Sequence, residues 1–196
     1  PLDTDTPTRT PVREATSLSD DHQYRYALEV QCRDWARSQP TDLWIVNQAG
    51  RSLDLAHDRV AFDLVRRSHL WGVRRTVVGA IFAYVGPGPL EEVEDPAGRE
   101  NIPTLIEFAA RPGTRVICAW GVLENLRLTA YADALLDQLE RAGHPLWCMG
   151  VTPAGACARP HPTQPWADDL RPRLWSPVRQ VYLRRRRTGQ IRATAA

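Results

Sequence analysis

What this chain can do chemically is limited first by a residue type it does not have. All 25 positive side chains are arginine, because the sequence contains no lysine. Schiff-base catalysis, a pyridoxal phosphate site, a lysine-bearing phosphate loop and a lysine general base are therefore excluded. The four cysteines, Cys32, Cys118, Cys148 and Cys157, lie far apart, with no Cys-x-x-Cys pair and no pair of histidines at zinc spacing. They read as buried reduced thiols acting as small hydrophobes, with no metal and no disulfide framework. Amide, imidazole, carboxylate and aromatic groups remain. Such groups orient waters, move protons or stack on flat rings. No flavin, dinucleotide or metal motif accompanies them, so a cofactor-free protein is expected.

The elements that would position these groups follow from periodicity. Between Gln23 and Val30 the apolar residues alternate as in a strand, through Tyr24, Tyr26, Leu28 and Val30. Leu43 to Val46, Thr76 to Phe82, Arg115 to Ala119 and Leu146 to Met149 read as buried strands. Helices are expected near Asp54 to Leu70, Asn101 to Ala110 and Leu126 to Ala142. The last is the clearest, with Leu128, Tyr131, Leu135, Leu139 and Ala142 along one face and Gly143 as its stop. Strand–helix alternation of this kind predicts an α/β protein: a mostly parallel sheet of about four strands covered by helices on both faces.

In such sheets the ligand crevice lies beyond the carboxyl ends of the strands. The segments there are Asn47 to Ser52, Ala83 to Gly88, Trp120 to Leu123 and Gly150 to Gly155, each containing glycine. Glycine allows sharp turns and close approach to a ligand, although strand-to-helix turns use it in any case. Each polar or aromatic candidate also has a structural reading. Asn47 suits a turn hydrogen bond to its own backbone. Asp54 or Asp58 suits a helix cap. Phe82 and Trp120 suit packing, whereas His161, between two prolines, suits an exposed rigid loop.

Hydrophobic residues make up 43% and charged residues 24%, which fits a globular domain rather than a disordered chain. Residues 1 to about 20, rich in Pro, Thr, Ser and Asp, read as a flexible lead-in. A single domain over residues 21–170 and a basic tail over residues 171–196 complete the organisation. The tail has eight arginines and no acid, so the preceding 170 residues set 17 arginines against 23 carboxylates, a net −6. An acidic body with a basic tail is the asymmetry that a phosphate backbone would attract; a solvated tail is the alternative. The longest apolar run, Val77 to Val85, is too short to span a bilayer and no charged-then-apolar leader opens the chain, so a cytoplasmic protein without membrane contact is expected.

Several motifs together resemble the bacterial domain-of-unknown-function 1643 family: Tyr24-Arg25-Tyr26-Ala27-Leu28; Asn47 after the first core strand; Phe82-Ala83-Tyr84; Asp95-Pro96-Ala97-Gly98 with Glu100-Asn101; Ala119-Trp120-Gly121; and Cys148-Met149-Gly150-Val151-Thr152 followed by Arg159-Pro160-His161-Pro162. That pattern is in turn similar, more distantly, to the uracil-DNA glycosylase superfamily. The resemblance implies a three-layer α/β/α sandwich and hydrolysis of an N-glycosidic bond in a nucleotide or nucleic acid. On that reading Asn47 orients the water, Asp54 or Asp58 accepts its proton, and His161 donates to the base or clamps a phosphate. Phe82 and Trp120 stack on the base, Tyr84, Asn101, Gly121, Thr152 and Arg159 complete the substrate site, and Arg184, Arg185, Arg186 and Arg187 hold nucleic acid.

The departures from the family pattern matter. Members usually read Asn-Pro-Ser-Thr-Ala-Asp where this chain has Asn47-Gln48-Ala49-Gly50-Arg51-Ser52, and Ala80, Val85 and Pro153 replace polar residues. Two other functions therefore stand beside the glycosidase: a non-catalytic module binding a nucleotide, nucleic acid or protein, and a small-molecule enzyme acting on a free nucleoside.

Overall fold

The structure, a computed structural model, describes residues 12–32, 39–123, 125–160 and 166–177. Its strands are β1 (Val12–Leu18), β2 (Arg25–Cys32), β3 (Thr41–Gln48), β4 (Arg75–Phe82), β5 (Thr114–Ala119), β6 (Leu146–Cys148) and β7 (Arg173–Leu174). The helices are α1 (Arg59–Leu70), α2 (Asn101–Ala109) and α3 (Leu126–Arg141). The strands form one mixed sheet in the order β1-β2-β4-β3-β5-β6-β7. Its centre, β4-β3-β5-β6, is parallel, and β1, β2 and β7 add to it antiparallel.

The apolar runs fall where the parallel strands are, because strands covered on both faces need continuous hydrophobic sequence. β4 is buried at all eight positions. The expected sheet of about four strands is corrected to seven. β1 lies within the stretch expected to be a flexible lead-in, and its residues Arg13 to Leu18 are exposed or half-buried. Backbone ladder bonds to β2 hold it there, and composition does not report those. β7, two residues long, is too short to show a period.

Alternation along β3 splits the core into two layers. Leu43 and Ile45 pack with Leu105 and Phe108 of α2 and with Leu128, Ala132, Leu135 and Leu139 of α3. Trp44 and Val46 pack on the opposite face with Ala61, Leu64 and Val65 of α1. Helices thus cover both faces. Gly79 permits α2 to sit close, since a Cβ there would lie 2.3 Å from a methyl of Leu105. The Asn101 amide, fully buried at the start of α2, donates to the Ala80 and Ile81 carbonyls at 2.9 Å each and ties the helix to β4.

At the amino-terminal end of the sheet a second network closes the core. Arg115 of β5 donates twice to Asp42 of β3, at 2.9 and 3.1 Å, and Ser68 of α1 donates to the same carboxylate at 2.7 Å. The Trp44 indole donates in turn to Ser68. Burial raises the Asp42 carboxyl above its usual range, and Arg115 and Ser68 partly offset that rise.

The opposite end is left open by topology. The chain steps from β3 to β4 on one side of β3, then crosses to β5 on its other side. Neighbouring connections diverge between β3 and β5, which makes a crevice outside their carboxyl ends.

Candidate functional site

A cavity of about 450 Å³ occupies that crevice. Asn47, Gln48 and Arg51 enter it from the end of β3 and the following loop, Phe82 from the end of β4, and Val122 and Leu123 from the segment after β5. Asn125 and Leu128 reach it from the start of α3, and Gly88 to Glu91 form the remaining wall. Three of the four glycine-bearing loops expected at this edge therefore meet here. The volume falls within the roughly 300–1,000 Å³ usual for small-molecule sites.

Local sequence explains the placement of each group. Asn47 follows Leu43 and Ile45 at strand period, so it faces the α2–α3 layer. Its Oδ1 is buried and accepts no hydrogen bond from the described residues. A buried acceptor without a donor costs about 1–3 kcal/mol, which a fold tolerates where a ligand or water completes the site. Phe82 is fully buried and meets Tyr131 of α3 edge-on, at 6.1 Å between centroids. Asn125 caps α3: its side-chain oxygen accepts from the backbone amides of Arg127 at 2.9 Å and Leu128 at 3.3 Å.

Two buried or anchored arginines hold the walls. The Arg25 guanidinium on β2 donates to the Ser52 carbonyl and to Asp58 at 2.6 Å. Asp58 is also the α1 cap, accepting from the Ala61 amide at 2.9 Å. A Cβ at Gly50 would lie 2.3 Å from this carboxylate, so glycine lets the loop close over it. On the other wall Arg127 donates to the backbone carbonyls of Glu91, Val93 and Glu94 and fixes the 3-10 turn Leu90–Glu92.

Among the described residues, Arg51 and Glu91 are the charged ones lining the cavity, and neither forms an ion pair with the other or with any described residue. A free cation and a free carboxylate thus share a space with three amide side chains and an apolar wall.

The residues singled out in sequence are distributed unevenly. Asn47 and Phe82 line the cavity. Asp54 does not: it is exposed and paired with His57 at 2.8 Å, which holds its carboxyl below the usual range. Tyr84 lines an adjoining cavity of about 480 Å³ together with Tyr24, Glu92, Glu94 and Asp95, and its hydroxyl donates to the Pro87 carbonyl. Asn101 is committed to β4 backbone. The Trp120 indole is buried edge-on against Trp175. Gly121, with φ of 80°, packs under the exposed Arg159 side chain. The Thr152 amide donates to the Ala156 carbonyl in the loop after β6, away from the cavity lining. His161 and Arg184 to Arg187 lie outside the described residues.

Sequence reading missed Glu91 and Asn125. A signal existed for each: Pro87-Gly88-Pro89 marks a turn that would present the acids after it, and Asn125 directly precedes the helical period. All four cysteines are buried, and among the described residues none forms a disulfide. Burial pushes the Cys157 thiol up to about 12 and the Cys118 thiol well above its ordinary value. Among the described residues no three His, Cys, Asp or Glu are grouped to hold a metal ion, and no helix is long and apolar enough to cross a membrane.

The family model described as protein of unknown function (DUF1643) matches residues 25–163. The chain belongs to the DUF1643 family. The matched span runs from Arg25 through every residue lining the cavity. No curated protein matches this DUF1643 chain. Among solved structures it is similar to a thermostable esterase from Pseudomonas putida, with 19% identity, 69% of this chain and 41% of the esterase covered, and a TM-score of 0.36. It is also similar to a hetero-hexameric glutamate dehydrogenase from Thermus thermophilus, with 10% identity, 68% and 31% covered, and a TM-score of 0.34. The chain spans less than half the length of either protein.

Proposed function

We propose that this DUF1643 protein is nucleotide- or nucleic-acid-directed, of uracil-glycosylase-like fold, and hydrolyses an N-glycosidic bond in the cavity at the ends of β3, β4 and β5. The observation that carries this reading is the buried Oδ1 of Asn47, without a hydrogen-bond partner among the described residues, in a cavity that also holds the Glu91 carboxylate, in no ion pair with a described residue. Helices on both faces of a largely parallel sheet, with the cavity at the strand ends, support the same reading. Four buried cysteines with no disulfide among the described residues suit a reducing compartment such as the cytoplasm.

The chemistry assigns each group a task. Glycosidic cleavage passes through an oxocarbenium-like state, so it needs a water held at C1′ and donors for charge gathering on the departing base. Asn47 accepts a hydrogen bond from that water and orients it. Glu91, rather than Asp54, takes its proton as the O–C1′ bond forms. The C1′–N bond breaks with its electron pair going to the base, which recovers the proton through solvent. Asn125 and Gln48 offer amide donors, and the base lies against the exposed Val122, with Phe82 buried behind the wall.

Incubation with nucleosides, nucleotides and DNA carrying varied bases tests this. Release of a free base, reduced at least 100-fold in Asn47→Ala and in Glu91→Gln with unfolding midpoints unchanged, is the expected result. Absence of release from every substrate would leave a binding module in its place.

A further inference from the structure

We infer that the substrate is a free mononucleotide, its single phosphate paired with Arg51, rather than a base within a strand. This rests on the reading of the cavity just given and adds the substrate class to it. Arg51 lines the cavity with its guanidinium engaged in no ion pair or hydrogen bond to a described residue. A guanidinium binds a phosphate with two parallel charge-assisted hydrogen bonds, so one arginine suffices for one terminal phosphate.

A strand has no comparable path along the adjoining wall. Beyond Gly88 and Pro89 lies the second cavity, whose charged lining is Glu92, Glu94 and Asp95, with no cation among its described residues. The Arg127 contacts that fix the 3-10 turn take up backbone carbonyls, not these carboxylates. A polynucleotide needs successive cations to replace its condensed counterions, and this wall offers successive anions. The same carboxylates do not oppose a ligand whose one phosphate sits at Arg51. The net charge of −6 over residues 1–170 acts in the same direction.

The test measures binding and release separately on the full chain. Nucleoside 5′-monophosphates, the matching nucleosides and single-stranded 20-mers are titrated by saturation-transfer NMR, and base release is followed for each. We expect the monophosphate to bind at least tenfold tighter than its nucleoside, this ratio to collapse to about one in Arg51→Gln and to recover in part in Arg51→Lys, and release from the monophosphate to exceed that from the 20-mer. A 20-mer cleaved as well as the monophosphate, or one that displaces the monophosphate from the cavity, or a ratio that survives in Arg51→Gln, overturns the inference while leaving hydrolysis standing. An Arg51-dependent ratio without base release supports the ligand assignment and overturns the hydrolysis instead.

Discussion

Arg25 of β2 and Asp58 at the head of α1 meet at 2.6 Å, with side-chain exposures of only 2% and 6%. The pair joins a strand outside the parallel core to the cap of a helix, and it encloses the loop that carries Arg51 and Ser52. The geometry of the cavity therefore depends on two residues that do not line it.

Removing one member of such a pair leaves a buried charge unmatched, which costs about 3–5 kcal/mol. Arg25→Met is expected to lower unfolding stability by about that much in urea. Arg25→Met combined with Asp58→Asn, which keeps a cap acceptor, is expected to cost less than the sum of the two single changes, and a double-mutant cycle measures the coupling.

Asn101 lies in a motif that the family resemblance assigned to substrate, yet its amide is spent on the Ala80 and Ile81 carbonyls. Asn101→Ala leaves both carbonyls without that donor inside the protein. A stability loss of about 1–3 kcal/mol is expected, with nucleotide affinity unchanged once folding is accounted for. Denaturation and ligand titration of the same variant separate the two effects.

The buried thiols make the fold sensitive to alkali. In the unfolded chain Cys157 ionises near 9.0, but in the fold only near about 12. The folded state therefore holds a proton that the unfolded state has lost between those values, and stability falls as pH rises through that window. The slope approaches about 1.4 kcal/mol per pH unit for one such thiol. Cys157→Ala is expected to flatten the fall, as measured by urea unfolding from pH 8 upward.

On the reading of the basic tail as a nucleic-acid contact, Arg184 to Arg187 would supply the phosphate contacts. Deleting them is expected to reduce the slope of log DNA affinity against log salt by about three to four, given roughly 0.9 per contact. Mononucleotide binding by the same variant is expected to stay as it was. Fluorescence anisotropy at several salt concentrations reads the slope.

The parallel core was legible in the sequence because burial on both faces leaves a continuous apolar run, as in Val77 to Phe82, and because α3 steps by three and four from Leu128 to Leu139. The edge strand β1 was not, since its ladder to β2 uses backbone groups that any side chain can accompany. At the site, Asn47 and Phe82 could be found from the rule that ligands gather at carboxyl ends. Glu91 had only the Pro87-Gly88-Pro89 turn as a signal, because its place in the cavity comes from Arg127 gripping three carbonyls, a contact between segments 36 residues apart. Asp54 was attractive by position along the chain, but Asp58 took the cap and the arginine, leaving Asp54 to His57 at the surface.

The most direct test of the cavity is hydrogen–deuterium exchange with and without a saturating nucleoside monophosphate. Slowed exchange is predicted in three separate segments together: residues 47–51, 88–91 and 122–128. Protection confined to the loop after β6 or to the amino-terminal end of the sheet, or no protection at bound concentrations, would contradict the account.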